Sequence, residues 1–209
     1  VSMGVAETFV SLPESVAVSE PKGDLYLLSI GADVFPKLPE STYLEYASED
    51  SDDFSKIISQ KSATCFNEVH TKVLSDNVAL LPERKKIIDA LDFLNHAEPN
   101  DTVAIFLASH GISDPAGNYY FVPRDSERDD FDKVAKGEKP DFLVSWEVFF
   151  NALRNATGRR LLIVDTCQAQ NIEGKFEAHS LLKRSASSLF SLIVASKGDE
   201  YSQEYSPGK

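Results

Sequence analysis

Short runs of consecutive apolar residues, each stopped by a turn former, alternate along this chain with stretches whose apolar residues recur every three or four positions. Leu25-Tyr-Leu-Leu-Ser-Ile30, stopped by Gly31, has the look of a buried strand of a parallel sheet. Leu44, Ala47, Phe54, Ile57 and Ile58 then fall near helical spacing, and Phe66 to Leu74 predicts a second strand. From Pro82 to Leu94 an apolar period close to 3.6 puts Ile87, Ile88, Leu91 and Leu94 on one helix face. The strongest strand signal is Thr102-Val-Ala-Ile-Phe-Leu107, ending in Ala-Ser-His-Gly. Asn118 to Pro123 predicts a short strand, and Arg124 to Asp141, charged and holding Gly137 and Pro140, predicts a loop. Ser145 is placed to cap a helix through Trp146, Phe149, Phe150 and Leu153 that Gly158 ends. Arg160 to Val164 and Leu189 to Ala195 predict two more strands, with a polar, mixed stretch between them. Residues 1–23, with Pro13, Pro21, several serines and no helical period, predict an extended arm or linker ahead of one domain over residues 24–209. Strands alternating with helices define an α/β fold whose mostly parallel sheet carries helices on both faces.

In sheets of this kind reactive groups gather at the carboxyl ends of strands. Two apolar strands here end in reactive side chains: Ile105-Phe-Leu-Ala-Ser-His110-Gly111 and Leu162-Ile-Val-Asp165-Thr-Cys167. If the two strands are neighbours, His110 and Cys167 emerge at one edge. An imidazole that takes the thiol proton makes a cysteine a far better nucleophile. Gly111 is expected to allow a tight turn and to leave its N–H open beside the site. With the Cys167 N–H it would bind the oxyanion of a tetrahedral intermediate. Taken singly, a cysteine at a strand end is usually a small core residue and a histidine before glycine a turn residue. The pair at the ends of two strong strands is the more specific signal.

Composition narrows the function classes. With 33 acidic and 21 basic residues the net charge is -12, which repels phosphate backbones and argues against nucleic-acid binding while favouring cationic peptides. Two cysteines allow at most one disulfide, and no apolar run approaches the roughly 18 to 20 residues that cross a bilayer. A cytoplasmic setting without membrane partners is the default expectation. His70, His96 and His179 lack metal-ligand partners at useful spacing, Cys65 is expected to be buried in the sheet, and Trp146 to lie in the core.

The chain also resembles the caspase family, in particular its metacaspase-like and bacterial branches, over residues 24–209. The motifs that carry the resemblance, in order, begin with the strand Leu25 to Gly31. Leu44-Glu-Tyr-Ala47-Ser-Glu-Asp50-Ser-Asp-Asp-Phe54 follows, similar to the family's Leu-x-x-Ala-x-x-Asp-Ala-x-x-Phe helix. Next come Phe106 to Gly111 with Ser-His-Gly, Tyr120 to Asp125, Val164-Asp-Thr-Cys167, and Ala195 to Glu204, similar to the segment lining the substrate groove. The resemblance implies Cys167 as nucleophile and His110 as general base and acid. It also implies a sheet of about six strands and peptide-bond hydrolysis through an acyl-enzyme. Gln168-Ala-Gln170 after the nucleophile departs from the family patterns at this point. The family continues into a further strand and helix where this chain stops at Lys209. The C-terminal part of the domain is therefore expected to be missing or to form a separate chain.

Asp165 and Asp50 match the two acidic positions of the metacaspase S1 pocket, which implies cleavage after Arg or Lys. Ser196 and Asp199 fall in the groove-lining segment. The alternatives are a loop-capping carboxylate for Asp165 and a solvated helix charge for Asp50. Lys175, Lys183, Arg184 and Lys209 offer basic sites for self-processing, so the chain's own C-terminal fragment joins basic peptides among its expected partners. No cofactor is required. Calcium is a candidate ligand, because Asp125, Asp141 and Glu173 sit at or near ligand positions of calcium-dependent metacaspases. A solvated charge run is the alternative for the loop from Asp125 to Asp132. The competing function is a catalytically weak or inactive caspase-fold interaction module of a larger protein. A cysteine phosphatase or a dinucleotide-dependent dehydrogenase lacks its Cys-x5-Arg or Gly-x-Gly-x-x-Gly signature.

Overall fold

A computed structural model describes residues 22–168 and 190–194. Among the described residues seven strands form one mostly parallel sheet, where the family resemblance implies about six. Strands β1 (Leu25–Gly31), β2 (Val69–Leu74), β3 (Thr102–Ser113), β6 (Arg159–Gln168) and β7 (Ser191–Val194) run parallel in the order β2-β1-β3-β6-β7. β3 outlasts β1. Past that point its last residues pair antiparallel with β4 (Tyr119–Phe121), which pairs antiparallel with β5 (Val144–Ser145).

The central strands β1 and β3 are buried on both faces, so they read as apolar runs rather than alternating ones, while the edge strands β2 and β7 are partly exposed. On one face Leu25, Leu27, Ala104, Phe106, Leu161 and Ile163 pack with Ala47, Phe54 and Ile58 of α1 (Ala47–Lys61). On the other, Leu28, Ile30, Val103, Ile105, Leu107, Leu162 and Val164 meet α2 (Arg84–Ala90) and α4 (Trp146–Asn155). A 3-10 turn over Leu91–His96 continues α2, which splits the helix expected from Pro82 to Leu94. Ser145 caps α4 as expected, its hydroxyl accepting the Glu147 N–H at 3.3 Å, and Trp146 is fully buried. Among the described residues no helix is long and apolar enough to cross a membrane. Of the expected N-terminal arm, Lys22 and Gly23 are described. Both carbonyls accept hydrogen bonds from Asn67.

Three expectations need correction. The segment from Arg124 to Asp141 is not all loop: α3 spans Arg128–Ala135. A capping box between Glu127 and Asp130 starts it, while Phe131 and Val134 turn into a core cluster with Val122 and Leu143. Gly137, at φ +73°, ends it. Nor is its charge run wholly solvated. Asp130 is 1% exposed, because its carboxylate accepts the N–H groups of Glu127, Asp141 and Phe142. Cys65 is exposed rather than buried, since it follows a 3-10 turn (Ser62–Thr64) before β2 begins.

The third concerns Gly111, which lies inside β3, in register between Phe121 and Gln168, instead of in a turn. Here the missing side chain serves packing. A Cβ would overlap the hydroxyl and ring of Tyr119, which is 3% exposed and lies 4.8 Å from the Trp146 ring. Gly111→Ala is therefore expected to destabilise the fold by about 1–3 kcal/mol, the usual cost of overpacking. A thermal melt would show a fall of roughly 2–4 °C for each kcal/mol.

Candidate active site

β3 and β6 are adjacent and parallel, and their register sets His110 opposite Cys167. Both positions stand at the carboxyl ends of their strands, where a doubly covered parallel sheet opens toward solvent. The register continues to Gly111 opposite Gln168. The side chains of residues 166–168 and all of residues 169–189 and 195–209 lie outside the described residues. That range includes Ser196, Asp199 and Glu173 and the basic residues Lys175, Lys183, Arg184 and Lys209.

His110 is 5% exposed and held from two directions. Its Nε2 lies 2.7 Å from the Thr42 carbonyl oxygen. A carbonyl only accepts, so Nε2 carries the proton, and in the neutral ring Nδ1 is left with the lone pair. The ring also stacks on Phe35, with centroids 5.3 Å apart and planes at 28°. Phe35 and Thr42 both come from the connection between β1 and α1. There a 3-10 turn (Glu40–Thr42) follows Pro39, and the Thr42 N–H and hydroxyl both reach the Pro39 carbonyl, at 2.9 and 2.7 Å. The sequence pointed to neither residue. A backbone carbonyl has no residue-type signal, and Phe35 stands among prolines where no periodicity marks a core position.

Asp165 sits two residues before Cys167, in register with Ala108 and, through it, with Gly31 of β1. A Cβ on Gly31 would overlap the Ala47 carbonyl, so α1 begins directly over this row. Asp165 thus lies in the row beneath the start of α1, while Asp50, in the first turn of the helix itself, is exposed. Burial raises the Asp165 carboxyl above its ordinary value of 3.8.

The calcium candidates are engaged elsewhere. Asp125 accepts the Arg84 N–H at the start of α2, at 2.8 Å. Asp141 is exposed beside Lys133, whose ammonium at 2.7 Å lowers its carboxyl pKa. At the opposite edge of the sheet, Asp24, Glu68 and His70 bring three ligand-type atoms within 4.8 Å of one another, a juxtaposition that sequence spacing does not show. There His70 Nε2 is 2.9 Å from Asp24, and its ring stacks on Tyr26 at 4.6 Å.

No family model matches the chain, and no curated protein does. Among solved structures it is similar to protein GSU0716 from Geobacter sulfurreducens, with a TM-score of 0.51 and 16% identity. The match covers 79% of this chain and 55% of that one, so the chain spans about half the length of that protein. At this identity the likeness is one of fold, a mostly parallel α/β sheet flanked by helices.

Proposed function

We propose that the chain is a cysteine endopeptidase of the caspase type, acting in the cytoplasm and cleaving after Arg or Lys. The observation that carries the reading is the register of His110 opposite Cys167 at the carboxyl ends of adjacent strands, with His110 Nε2 bonded to Thr42. That bond leaves Nδ1 as the ring nitrogen able to take the thiol proton. The thiolate then attacks the scissile carbonyl carbon, and the Cys167 N–H is assigned to the oxyanion, because the backbone of Gly111 is engaged in the ladder with its neighbouring strands. His110 returns the proton to the leaving amine, and water releases the acyl group from Cys167 by the same route in reverse. Asp165 and Asp50 supply the negative S1 pocket for a basic side chain. The basic residues after the nucleophile strand are the proposed self-processing sites, and calcium stays a weaker candidate, because Asp125 and Asp141 are already engaged by the Arg84 N–H and by Lys133.

A panel of fluorogenic peptides with P1 Arg, Lys, Asp and Leu, assayed with calcium and with chelator, tests the reading. Cleavage confined to Arg and Lys is expected. Preference for Asp would overturn the S1 assignment, and rates unchanged by chelator would remove calcium. A folded chain that hydrolyses nothing and whose Cys167 resists a peptidyl electrophile would be an interaction module instead.

A further inference from the structure

Asp76 touches neither His110 nor Cys167 in any contact described above, yet it anchors the segment that orients His110. It lies two residues beyond β2, and its side chain is 6% exposed. One carboxylate oxygen accepts the N–H groups of Asp33 and Val34, at 2.8 and 3.0 Å. The other meets the guanidinium of Arg124, three residues beyond β4. The Asp76 N–H donates to the Ser48 hydroxyl at 3.2 Å, and the Ser48 N–H donates to Asp33 at 3.0 Å. The Asp33 carbonyl in turn accepts the Leu44 N–H at 3.0 Å.

The last bond closes a loop whose base is Asp33 and Leu44 and whose arms hold Phe35 and Thr42. Those are the two residues that stack on and bond to the His110 ring. The loop's middle is held by its own residues, since Phe35 and Leu38 lie in the core cluster with Val122 and Leu143 and Lys37 pairs with Glu127. The loop's base is fixed by one buried carboxylate from the end of β2, neutralised by one cation from the end of β4. A buried charge that loses its partner forces its surroundings to rearrange, since neither ion is tolerated alone. The rearrangement here would fall on the backbone at positions 33 and 34.

We propose that the Asp76–Arg124 pair is a positioning device for the general base, holding the loop that presents the Thr42 carbonyl to His110 Nε2. This rests on the reading of His110 as base. Asp76 is a positioning residue, acting through the loop and not on substrate.

The test is proton NMR of the full chain with ¹⁵N-labelled histidine, alongside kinetics on a P1-Arg peptide. The Nε2–H of His110, assigned by its absence in His110→Gln, should be protected from exchange by its bond to Thr42. In Asp76→Asn this resonance should be lost, and kcat should fall about tenfold with KM within about twofold, as expected when a catalytic group is misplaced by a fraction of an ångström. Ile87→Ala, in the core on the other face of the sheet, should lower the melting temperature without removing the resonance. Ser48→Ala removes the hydroxyl that receives the Asp76 N–H and that also reaches the Asp76 carboxylate at 3.5 Å and the Gly31 carbonyl at 3.3 Å. It is the milder variant should Asp76→Asn fail to fold, and is expected to speed exchange of the same proton. Arg124→Lys, which keeps the charge, should keep the resonance.

A folded Asp76→Asn that retains both the resonance and kcat overturns the proposal. So does equal loss of the resonance in Ile87→Ala, or unchanged exchange in Ser48→Ala. The two readings fail separately. Loss of the resonance in a chain that cleaves no peptide sinks the peptidase and keeps the anchor. Cleavage with an unmoved resonance does the reverse.

Discussion

Replacing Cys167 by alanine is expected to abolish peptide hydrolysis, a loss of at least ~10⁴-fold, while leaving the melting temperature nearly unchanged. The size of the effect follows from the chemistry: without the sulfur there is no acyl-enzyme, and only water positioned by the site remains. The small effect on stability follows from the fold. Position 167 pairs with His110 through backbone groups of β3 and β6, and alanine keeps every one of them.

The companion variant is His110→Gln, which removes the imidazole. It should slow alkylation of Cys167 by iodoacetamide at neutral pH by roughly 10²-fold or more, the usual worth of a positioned base. Cys65 is exposed and would take the same reagent, so both measurements belong in a Cys65→Ser background with one thiol left to follow. Hydrolysis that survives Cys167→Ala in that background would end the assignment of the nucleophile. Equal alkylation rates with and without His110 would end the pairing.

The sequence disclosed the two elements that matter most, and for a physical reason. β3 is buried on both faces and β6 on one and half of the other, and every residue from Val103 to Leu107 and from Leu161 to Val164 is apolar. A run of that kind admits few readings once turn formers bound it. The reactive residues at its end then stand out. What stayed hidden belongs to other kinds of interaction. The Thr42 carbonyl is backbone, and the Asp76–Arg124 pair joins residues 48 positions apart. α3 was masked by the charges on its outer face. Of its residues, Asp130 is buried because it receives three backbone N–H groups, and no property of an isolated aspartate announces that. Gly111 was legible as a glycine of the site, but it lies inside β3 rather than in the expected turn. A glycine after histidine suggests backbone freedom, whereas it is the Tyr119 ring that needs the space.

Asp165→Asn is expected to do two opposite things, and the pair of effects separates a substrate-binding carboxylate from a structural one. For a peptide with P1 Arg, kcat/KM should fall roughly 100-fold, the worth of a charge-assisted hydrogen bond of about 1.5–3 kcal/mol. For P1 Leu it should hardly change. Stability should move the other way. Burial raises the folded-state pKa of Asp165 above the ordinary 3.8. Proton binding therefore favours the fold at low pH. That contribution is fully present below the unfolded value and is lost as pH rises through the folded value. Above that window the ionised carboxylate is a cost to the fold, and Asn removes it. At neutral pH the variant should melt higher than the parent, and the difference should vanish as both are taken to acid. A P1 guanidinium supplies the missing counter-charge and draws the carboxyl back toward its ordinary range. KM for the Arg peptide should accordingly rise as pH falls through the raised value, and this limb should be absent both for P1 Leu and in Asp165→Asn. A variant that melts lower than the parent at neutral pH and treats Arg and Leu peptides alike would make Asp165 a structural residue of β6. The basic specificity would then have to come from Asp50 alone, or be abandoned.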